Sequence, residues 1–352
     1  MTNQHPLDEL LAKLPREETI WLRSEPDYYG ASHTIAAQLG LKRTPVSFAT
    51  WRHGWIPFVA PDNPEFYALG HRKMRNLVAN SGHVEILRAH DFTKVEPVGL
   101  PLIYVDRPAV KQLPNSLLVM PGHTQELATQ SWNESAYIDE LLSMRDKFEH
   151  ILACVHPICV ERGFWTKAFD KAGIRWVRGA GRRDRYALLR IRRLFASFEY
   201  LTTNTMGSHI LYGAWSGAKV FCTEHFDQFK PDDYKNDPFY LRYPKALEVV
   251  MEEFTKERVR ERTPWLFDPI ESARVQTEWA DTEIGLHARV NMKTLTKLLG
   301  WTFSARLRGY AAQGRRFLTH PTELVSFVRR ARLSRKLVHA QGNNETTRYI
   351  DQ

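Results

Sequence analysis

Five short apolar segments between residues 117 and 222 constrain the fold of this chain more than any other feature, because helical segments separate them. Each apolar run has the length of a buried strand. Strands that alternate with helices in this way form βαβ units with parallel strands and right-handed crossovers. We therefore predict a Rossmann-like domain. Its predicted strands are Leu117–Met120, Ile151–Val155, Ile174–Val177, Tyr200–Leu201 and Lys219–Cys222, and its predicted helices are Tyr137–Phe148, Phe164–Lys171, Arg185–Phe195 and Ser208–Ser216.

The first hundred residues repeat this alternation more loosely. Two Rossmann-like halves joined near Asp106–Asn115 would face each other across a cleft at the carboxyl ends of their strands, where open α/β sheets bind ligands. We expect an α/β protein with two Rossmann-like domains, residues 1–110 and 111–265, and a basic helical C-terminal extension, residues 266–352. The elements predicted in the first half are strand Thr19–Leu22, helix His33–Leu39, strand Val46–Ala49, helix Glu65–Asn80 and an apolar run at Val95–Val105.

The composition is that of a globular protein. Of the 352 residues, 43% are hydrophobic and 25% are charged, as in ordinary soluble domains. No apolar run approaches the roughly 18 residues of a transmembrane helix, and the polar N-terminus lacks a signal-peptide core. We therefore expect a cytoplasmic protein. Cys154, Cys159 and Cys222 lie in apolar surroundings without zinc-ligand spacing, which predicts buried thiols.

The positive charge of the chain is concentrated near its C-terminus. The formal net charge is +9, and residues 301–340 carry nine Arg or Lys residues against one acidic residue, Glu323. A helix predicted near Pro321–Val338 would surround an apolar stripe with cations. Such a helix can lie on the anionic inner face of a cell membrane, or it can pack its stripe on the body of the protein. Because the charge is local, we do not expect the chain to bind nucleic acid.

A polar turn between a predicted strand and a predicted helix, Thr202–Ser208, indicates an anion site. It holds four hydroxyls, an amide and a glycine. Backbone N–H groups at a helix start lack partners and form the positive end of the helix dipole, which suits a phosphate. One capping side chain would satisfy the helix start, so the turn has more polar groups than a cap needs. The candidate binding residues here are Thr203, Asn204, Thr205, Gly207 and Ser208.

Two further turns are predicted at the same edge of the sheet. His156-Pro157 follows the predicted strand Ile151–Val155, and the proline presets a helix start. The His156 imidazole would then either donate to a phosphate oxygen or cap its own turn. Gly122 and His123 follow the first strand of this half and form a weaker candidate, since glycine permits close backbone approach.

Candidate general bases come from the first half of the chain. His53, in the sequence Trp51-Arg52-His53-Gly54, follows the strand predicted at Val46–Ala49 and would face the cleft. An imidazole near its ordinary pKa suits the removal of a proton from a hydroxyl. Glu25 and Asp27 end the preceding strand and compete for this role, and each of the three could instead be a solvated surface group.

Several familiar motifs are missing from the sequence. Gly179-Ala180-Gly181 lacks the third glycine of a dinucleotide-binding fingerprint and does not begin the fold. There is no P-loop, His-Glu-x-x-His motif or nucleophile elbow. The acidic pair Asp232-Asp233 lies in a linker. We therefore expect neither a cofactor nor a metal site.

Taken together, the His156-Pro157 turn and the Thr202–Ser208 turn resemble those of bacterial GT-B glycosyltransferases of surface-polysaccharide assembly. The likeness is to the sialyltransferase-like and Kdo-transferase-like enzymes that use CMP-activated sugars. A similar pair of turns occurs in the CDP-glycerol glycerophosphotransferases, which also have a His-Gly turn like His53-Gly54. The likeness covers roughly residues 45–225. The chain departs from the CMP-sugar families in lacking a clean acidic Asp/Glu-Asp-Gly motif for the base.

The resemblance implies a metal-independent transfer by a single displacement, with inversion. The first domain would bind a glycan or lipid-linked acceptor, and His53, Glu25 or Asp27 would deprotonate its hydroxyl. The second domain would bind the nucleotide-sugar donor, with His156 and the Thr203–Ser208 turn stabilising the leaving phosphate. The alternatives are a CDP-glycerol glycerophosphotransferase, a UDP-sugar GT-B enzyme and, from another class, a nucleic-acid-binding protein that uses the basic segment.

Overall fold

The computed structural model describes residues 5–68, 70–125, 127–128, 130 and 132–319. These residues form an α/β protein with a three-stranded and a five-stranded sheet, in which all paired strands are parallel. The predicted α/β class is thereby confirmed. The helix predicted near Pro321–Val338 and the part of the basic segment beyond residue 319 lie outside the described residues.

The first sheet has the strand order β1-β2-β3 and belongs to the first hundred residues. Parallel strands need a connection on one face of the sheet, and α3 supplies it between β2 and β3. A short 3₁₀ segment, Glu25–Gly30, leads directly into α2. The elements of this half are α1 (Pro6–Ala12), α2 (Ala31–Gln38), β1 (Ala49–Trp51), β2 (Arg75–Val78), α3 (Ser81–Ala89) and β3 (Val95–Pro97).

Two of the elements predicted in this half are wrong, and the strand predicted at Val46–Ala49 is displaced, since the observed strand, β1, is Ala49–Trp51. Thr19 forms a single antiparallel bridge with Asp184 and no strand. The segment predicted as helix Glu65–Asn80 contains a 3₁₀ turn and then β2. The helix begins later because the side chain of Asn80 caps α3, where it accepts a hydrogen bond from the His83 N–H group at 3.1 Å.

The second sheet has the order β6-β5-β4-β7-β8, which is the order 3-2-1-4-5 of a Rossmann-like sheet. All five of its strands coincide with predicted apolar runs to within a few residues. Its elements are β4 (Leu113–Val119), α4 (Glu134–Ser143), β5 (His150–Val155), α5 (Pro157–Arg162), α6 (Thr166–Lys171), β6 (Arg175–Arg178), α7 (Ala187–Ser197), β7 (Phe198–Thr203), α8 (Ser208–Trp215) and β8 (Lys219–Cys222).

Both faces of the second sheet are buried, which is why its strands are continuous apolar runs. Leu117 and Val119 of β4 face the cluster that contains α4 and α6, while Leu118 between them faces α7 and α8. The three cysteines lie in these cores, as predicted, and none is in a disulfide. Burial raises the pKa of the Cys154 thiol to about 12, so this thiol is protonated and unreactive at neutral pH.

The two sheets share one apolar core on the α7–α8 side. Ile35 of α2 and Trp51 of β1 belong to the same cluster as Ile210 of α8. The turn before α2 packs so tightly on the loop before α7 that only glycine fits at residue 30: Gly30 has φ +72, and a Cβ there would lie 1.8 Å from the Arg185 carbonyl oxygen. The carboxyl ends of the two sheets are thus held next to each other.

The remaining helices pack around this pair of sheets. The predicted helix Ala246–Arg262 is divided at Thr255, whose hydroxyl caps the second piece. The helix α12 packs against α8, and α14 rests on Phe48 through Gly309. No helix in the described part of the chain is long and apolar enough to cross a membrane. These helices are α9 (Pro238–Arg242), α10 (Pro244–Glu253), α11 (Lys256–Arg262), α12 (Thr277–Ile284), α13 (Met292–Leu298) and α14 (Phe303–Thr319).

Candidate functional site

The strand order of the second sheet reverses between β4 and β7, and the loops that leave these strands diverge there. Such a switch point opens a crevice at the carboxyl edge of the sheet. The structure brings the predicted residues of all three turns to this edge. The His123 and His156 rings stack with their centroids 4.6 Å apart, and the Gly122 N–H group donates to the Asn204 side-chain oxygen at 2.8 Å.

Three of the polar side chains in the Thr202–Ser208 turn form hydrogen bonds with other parts of the protein. The Thr203 hydroxyl is hydrogen-bonded to the His209 Nε2 atom at 2.8 Å. The Asn204 side chain, fully buried, accepts from Gly122 and donates to the Asp227 carboxylate. The Ser208 hydroxyl accepts from the Trp55 N–H group at 2.9 Å. These three groups shape the turn and fix its position, and their side chains are already engaged.

The polar groups of this turn that have no hydrogen-bond partner are suited to bind an anion. The Thr205 hydroxyl is buried and has no hydrogen-bond partner among the described residues. The backbone N–H groups of Gly207, Ser208 and His209, at the start of α8, donate to no other described residue. A buried hydroxyl and N–H groups without acceptors are costly to leave unpaired. Gly207 permits this arrangement, since a Cβ there would lie 2.7 Å from the His209 ring.

His156 is oriented as a hydrogen-bond donor. Its Nδ1 atom accepts from the Ile158 N–H group at 3.3 Å, so the capping alternative applies to this atom. The proton of the neutral ring is thereby assigned to Nε2, which bonds to no other described residue. Pro157, the first residue of α5, fixes this geometry.

The imidazoles at this edge are neutral at pH 7. Burial, and after it the neighbouring His123 ring and Arg178, hold the pKa of His156 well below its ordinary value. Burial likewise lowers the pKa of His123. It lowers the pKa of His209 to about 3. A bound anion would oppose these shifts, because it stabilises the protonated form.

Facing this edge, His53 and Glu25 of the first half form a hydrogen-bonded pair. The His53 Nδ1 atom lies 2.8 Å from Glu25 Oε1, and the other carboxylate oxygen accepts from the Trp51 N–H group. The His53 ring lies between Tyr28 and Tyr29, with centroids 5.3 Å away in both cases. A carboxylate at Nδ1 places the proton there and leaves Nε2 as a proton acceptor.

Asp27 has a different place in the structure. Its side chain is fully buried and accepts hydrogen bonds from the Arg23 N–H group at 2.9 Å, from the Ser24 N–H group and from the Ser32 hydroxyl. All of these contacts lie within its own turn and the start of α2. Both carboxylate oxygens of Asp27 are thus engaged, and its geometry is that of a group that holds the turn.

The two halves of the site are joined directly. The Trp55 N–H group donates to Ser208 at 2.9 Å, and the Tyr212 hydroxyl of α8 donates to the His53 backbone oxygen at 2.5 Å. The turn that carries His53 is thus fixed to the helix whose start offers the free N–H groups. A molecule that bound an anionic group at α8 would extend toward His53.

Three contributors to this site are not among the residues predicted from the sequence. The His209 ring is hydrogen-bonded to the Thr203 hydroxyl, the Tyr29 ring packs on His53, and Arg52 lies in the turn that contacts Ser208 of α8. Tyr29 has φ 55, a strained conformation for a bulky residue, and its N–H group donates to the Arg182 oxygen at 2.9 Å. Arg52 has a signal in the sequence, because it directly follows an apolar strand-end residue, Trp51, at the edge where such sheets bind ligands.

Among the described residues, no group of three or more His, Cys, Asp or Glu side chains is arranged to hold a metal ion. Neither the known protein-family models nor the curated proteins contain a match to this chain. Its function is therefore inferred from the site.

Proposed function

We propose that this protein is a glycosyltransferase with the GT-B arrangement. It moves a sugar from a nucleotide-activated donor, with a CMP-sugar favoured, to a glycan or lipid-linked acceptor in surface-polysaccharide or lipopolysaccharide biosynthesis. One observation carries the proposal. A histidine oriented to accept a proton, His53, is fixed by the Trp55–Ser208 hydrogen bond beside a helix start that offers free N–H groups to an anion.

The reaction needs a base and a stabilised leaving group, and the site offers both. The Nε2 atom of His53 removes the proton of the acceptor hydroxyl, and Glu25 stabilises the imidazolium that forms. The acceptor oxygen attacks the anomeric carbon and the bond from this carbon to the nucleotide phosphate breaks. The phosphate leaves with its negative charge, which the N–H groups at the start of α8, the Thr205 hydroxyl and His156 Nε2–H stabilise.

In this proposal the second domain binds the nucleotide-sugar donor. The switch point between β4 and β7 suits the phosphate of a nucleotide, because N–H groups and neutral donors converge there, and the carboxylate at this edge, Asp227, is already engaged by Asn204 and His225. CDP-glycerol and UDP-sugars present the same chemistry with one more phosphate and are the alternative donors.

The acceptor side has a membrane contact in this proposal. Helix α14 has no acidic residue, and it presents Phe303, Leu307 and Leu318 to solvent with exposures of 84%, 64% and 83%. These residues share one face, away from Gly309, which rests on Phe48. With Arg306 and Arg308 beside it, this face fits the anionic inner surface of a cell membrane, and the enzyme would be peripheral and cytoplasmic.

A thermal-shift screen of donors tests the proposal. Wild-type protein is heated with CMP-, CDP-, UDP- and GDP-activated donors, and CMP-sialic acid is expected to raise the unfolding midpoint most. Thr205→Val removes the unpartnered hydroxyl without changing the side-chain shape and is expected to reduce that shift. The control is Thr263→Val, at another buried threonine whose hydroxyl bonds the Val259 oxygen within α11. If no nucleotide or donor stabilised the wild type, the proposal would be rejected.

A further inference from the structure

A guanidinium without a carboxylate partner lies on the acceptor side of the site. Arg52 follows β1, and its only hydrogen bond from the side chain to another described residue runs from Nε to the Gly54 oxygen at 3.1 Å. Its terminal nitrogens, which carry four of the five N–H donors, bond to no described residue. A planar fork of this kind is suited to a carboxylate or a phosphate.

The charges around Arg52 do not neutralise it. Burial lowers its pKa, and the groups that oppose this effect are Glu25 and the hydroxyls of Tyr212, Tyr240 and Tyr67. Glu25 is the one carboxylate among them, and its two oxygens already accept from His53 and Trp51. The terminal nitrogens of Arg52 are not among the buried atoms of the described residues, so a ligand that supplies a negative charge can reach them.

Two further polar groups, on His83 and Tyr240, interact electrostatically with Arg52. The Nδ1 atom of His83, in the first turn of α3, is buried and has no hydrogen-bond partner among the described residues. His83 is close enough to Arg52 that the arginine, after burial, contributes to lowering its pKa. The Tyr240 hydroxyl is among the groups that oppose the lowering of the Arg52 pKa. Together with the Arg52 nitrogens, these groups come from three separate elements: the end of β1, the start of α3 and α9.

We propose that Arg52, with His83 and Tyr240, is a second anion site, which binds a carboxylate or phosphate on the sugar that lies beside His53. The inference rests on the proposed function and names its substrate class. Either the acceptor glycan carries the anionic group, or the transferred sugar does. The nucleotide phosphate is assigned to the free N–H groups at the start of α8, so the anion at Arg52 is one that a sugar carries.

Two matched pairs of probes show whether the acceptor or the transferred sugar carries the anionic group. Glucose 6-phosphate is compared with glucose, and CMP-sialic acid is compared with CMP, by calorimetry on the full chain. In Arg52→Gln, we expect the affinity for at least one charged probe to fall about tenfold or more, as for the loss of a charge-assisted hydrogen bond, with the affinity for CMP unchanged. A loss for glucose 6-phosphate assigns the anion to the acceptor, and a loss for CMP-sialic acid assigns it to the transferred sugar.

Two more variants distinguish a loss of ligand binding from a loss of folding. Arg52→Lys keeps the charge without the planar fork and is expected to bind with intermediate affinity. Arg192→Gln is the control, because Arg192 is a buried arginine that bonds Ser216 in the core and lies over Trp215. The inference is overturned if Arg52→Gln, folded by circular dichroism, binds both charged probes as the wild type does, if the wild type binds neither, or if CMP binding falls equally. Failure of the proposed function is seen separately, as an absence of CMP binding to the wild type.

Discussion

The Nδ1 atom of His53 lies 2.8 Å from the Oε1 atom of Glu25, although 28 residues separate them in the chain. The pairing gives His53 a proton on Nδ1 and a lone pair on Nε2. The geometry at His156 is the reverse: its Nδ1 atom accepts from a backbone N–H group, and its Nε2 atom carries the proton. One histidine is thus prepared to take a proton and the other to donate a hydrogen bond, which is the division of labour that a displacement reaction needs.

Glu25→Gln is expected to reduce turnover by roughly 10²-fold or more, because a neutral amide stabilises the protonated His53 ring less than a carboxylate does. The amide oxygen can still accept from the Trp51 N–H group, so the local structure is retained. Nucleotide affinity is expected to stay at the wild-type value. Steady-state kinetics with the donor that the thermal-shift screen identifies, together with calorimetry on CMP, measure the two effects.

Asp27→Asn is the matched comparison for that variant. Asp27 accepts three hydrogen bonds inside its turn and is fully buried. We expect its replacement to lower the unfolding midpoint more than it lowers turnover per folded molecule. If Asp27→Asn abolished turnover in a stably folded protein while Glu25→Gln did not, the assignment of the base would be reversed.

His156→Asn is expected to weaken CMP binding about tenfold with little change in stability. Asparagine is among the best N-cap residues, so it replaces the capping bond to Ile158, but it cannot place a donor where Nε2–H stands. The control is His150→Asn, at the opposite end of the same strand, β5. Equal loss of CMP affinity in both variants, or no loss in His156→Asn, would contradict the role of His156 as a phosphate donor.

The sheet could be predicted because its strands are buried on both faces. A run such as Lys219–Cys222 has no competing helical pattern, and the observed strand has the predicted bounds. The segment Glu65–Asn80 was misread as a helix because its apolar residues permit a helical spacing. What decides its structure is the pairing of β2 with β1 and β3, which is not visible within the segment itself.

The site was predictable only in part, for a similar reason. The polar turns were visible because strand ends place polar residues at the edge of the sheet. The pairing of His53 with Glu25 depends on the Ser24–Gly30 turn lying beside β1, and this position follows from the contact of Gly30 with Arg185 across the two halves. Arg52 was overlooked because its missing counter-ion is a property of the folded chain and not of its neighbours in sequence.

The free energy of unfolding is expected to fall as the pH is lowered from 6.5 toward 4. Burial lowers the pKa of His83 to about 4 and that of His209 to about 3, from an ordinary 6.5. Between these values the unfolded chain binds a proton at each histidine and the folded chain does not. The contribution of these neutral histidines to the free energy of unfolding is therefore fully present above pH 6.5. Below pH 6.5 this contribution decreases by about 1.4 kcal/mol per pH unit for each such histidine.

His209→Gln tests this assignment by urea unfolding between pH 4.5 and 7.5, a range that covers about the upper two pH units of this window and the plateau above it. The slope of the unfolding free energy against pH is expected to decrease by the contribution of one histidine. His287→Gln replaces an exposed histidine in the C-terminal region and is expected to leave the slope unchanged. An unchanged slope in His209→Gln would show that this ring is not held neutral.

Leu307→Ser is expected to weaken binding to anionic vesicles roughly tenfold, because burial of one leucine side chain in the interface contributes about 1.5 kcal/mol or more. Leu307 is 64% exposed on the face of α14 that lies away from the contact of Gly309 with Phe48. Leu241→Ser is the control, since Leu241 is 67% exposed but lies in α9. Cosedimentation with phosphatidylglycerol and phosphatidylcholine vesicles measures the difference, and only the former is expected to bind the wild type well.

Arg306→Gln and Arg308→Gln together should remove the preference for the anionic lipid and its sensitivity to salt. Binding that Leu307→Ser leaves unchanged would contradict the membrane contact, as would salt-sensitive binding to nucleic acid in place of vesicles.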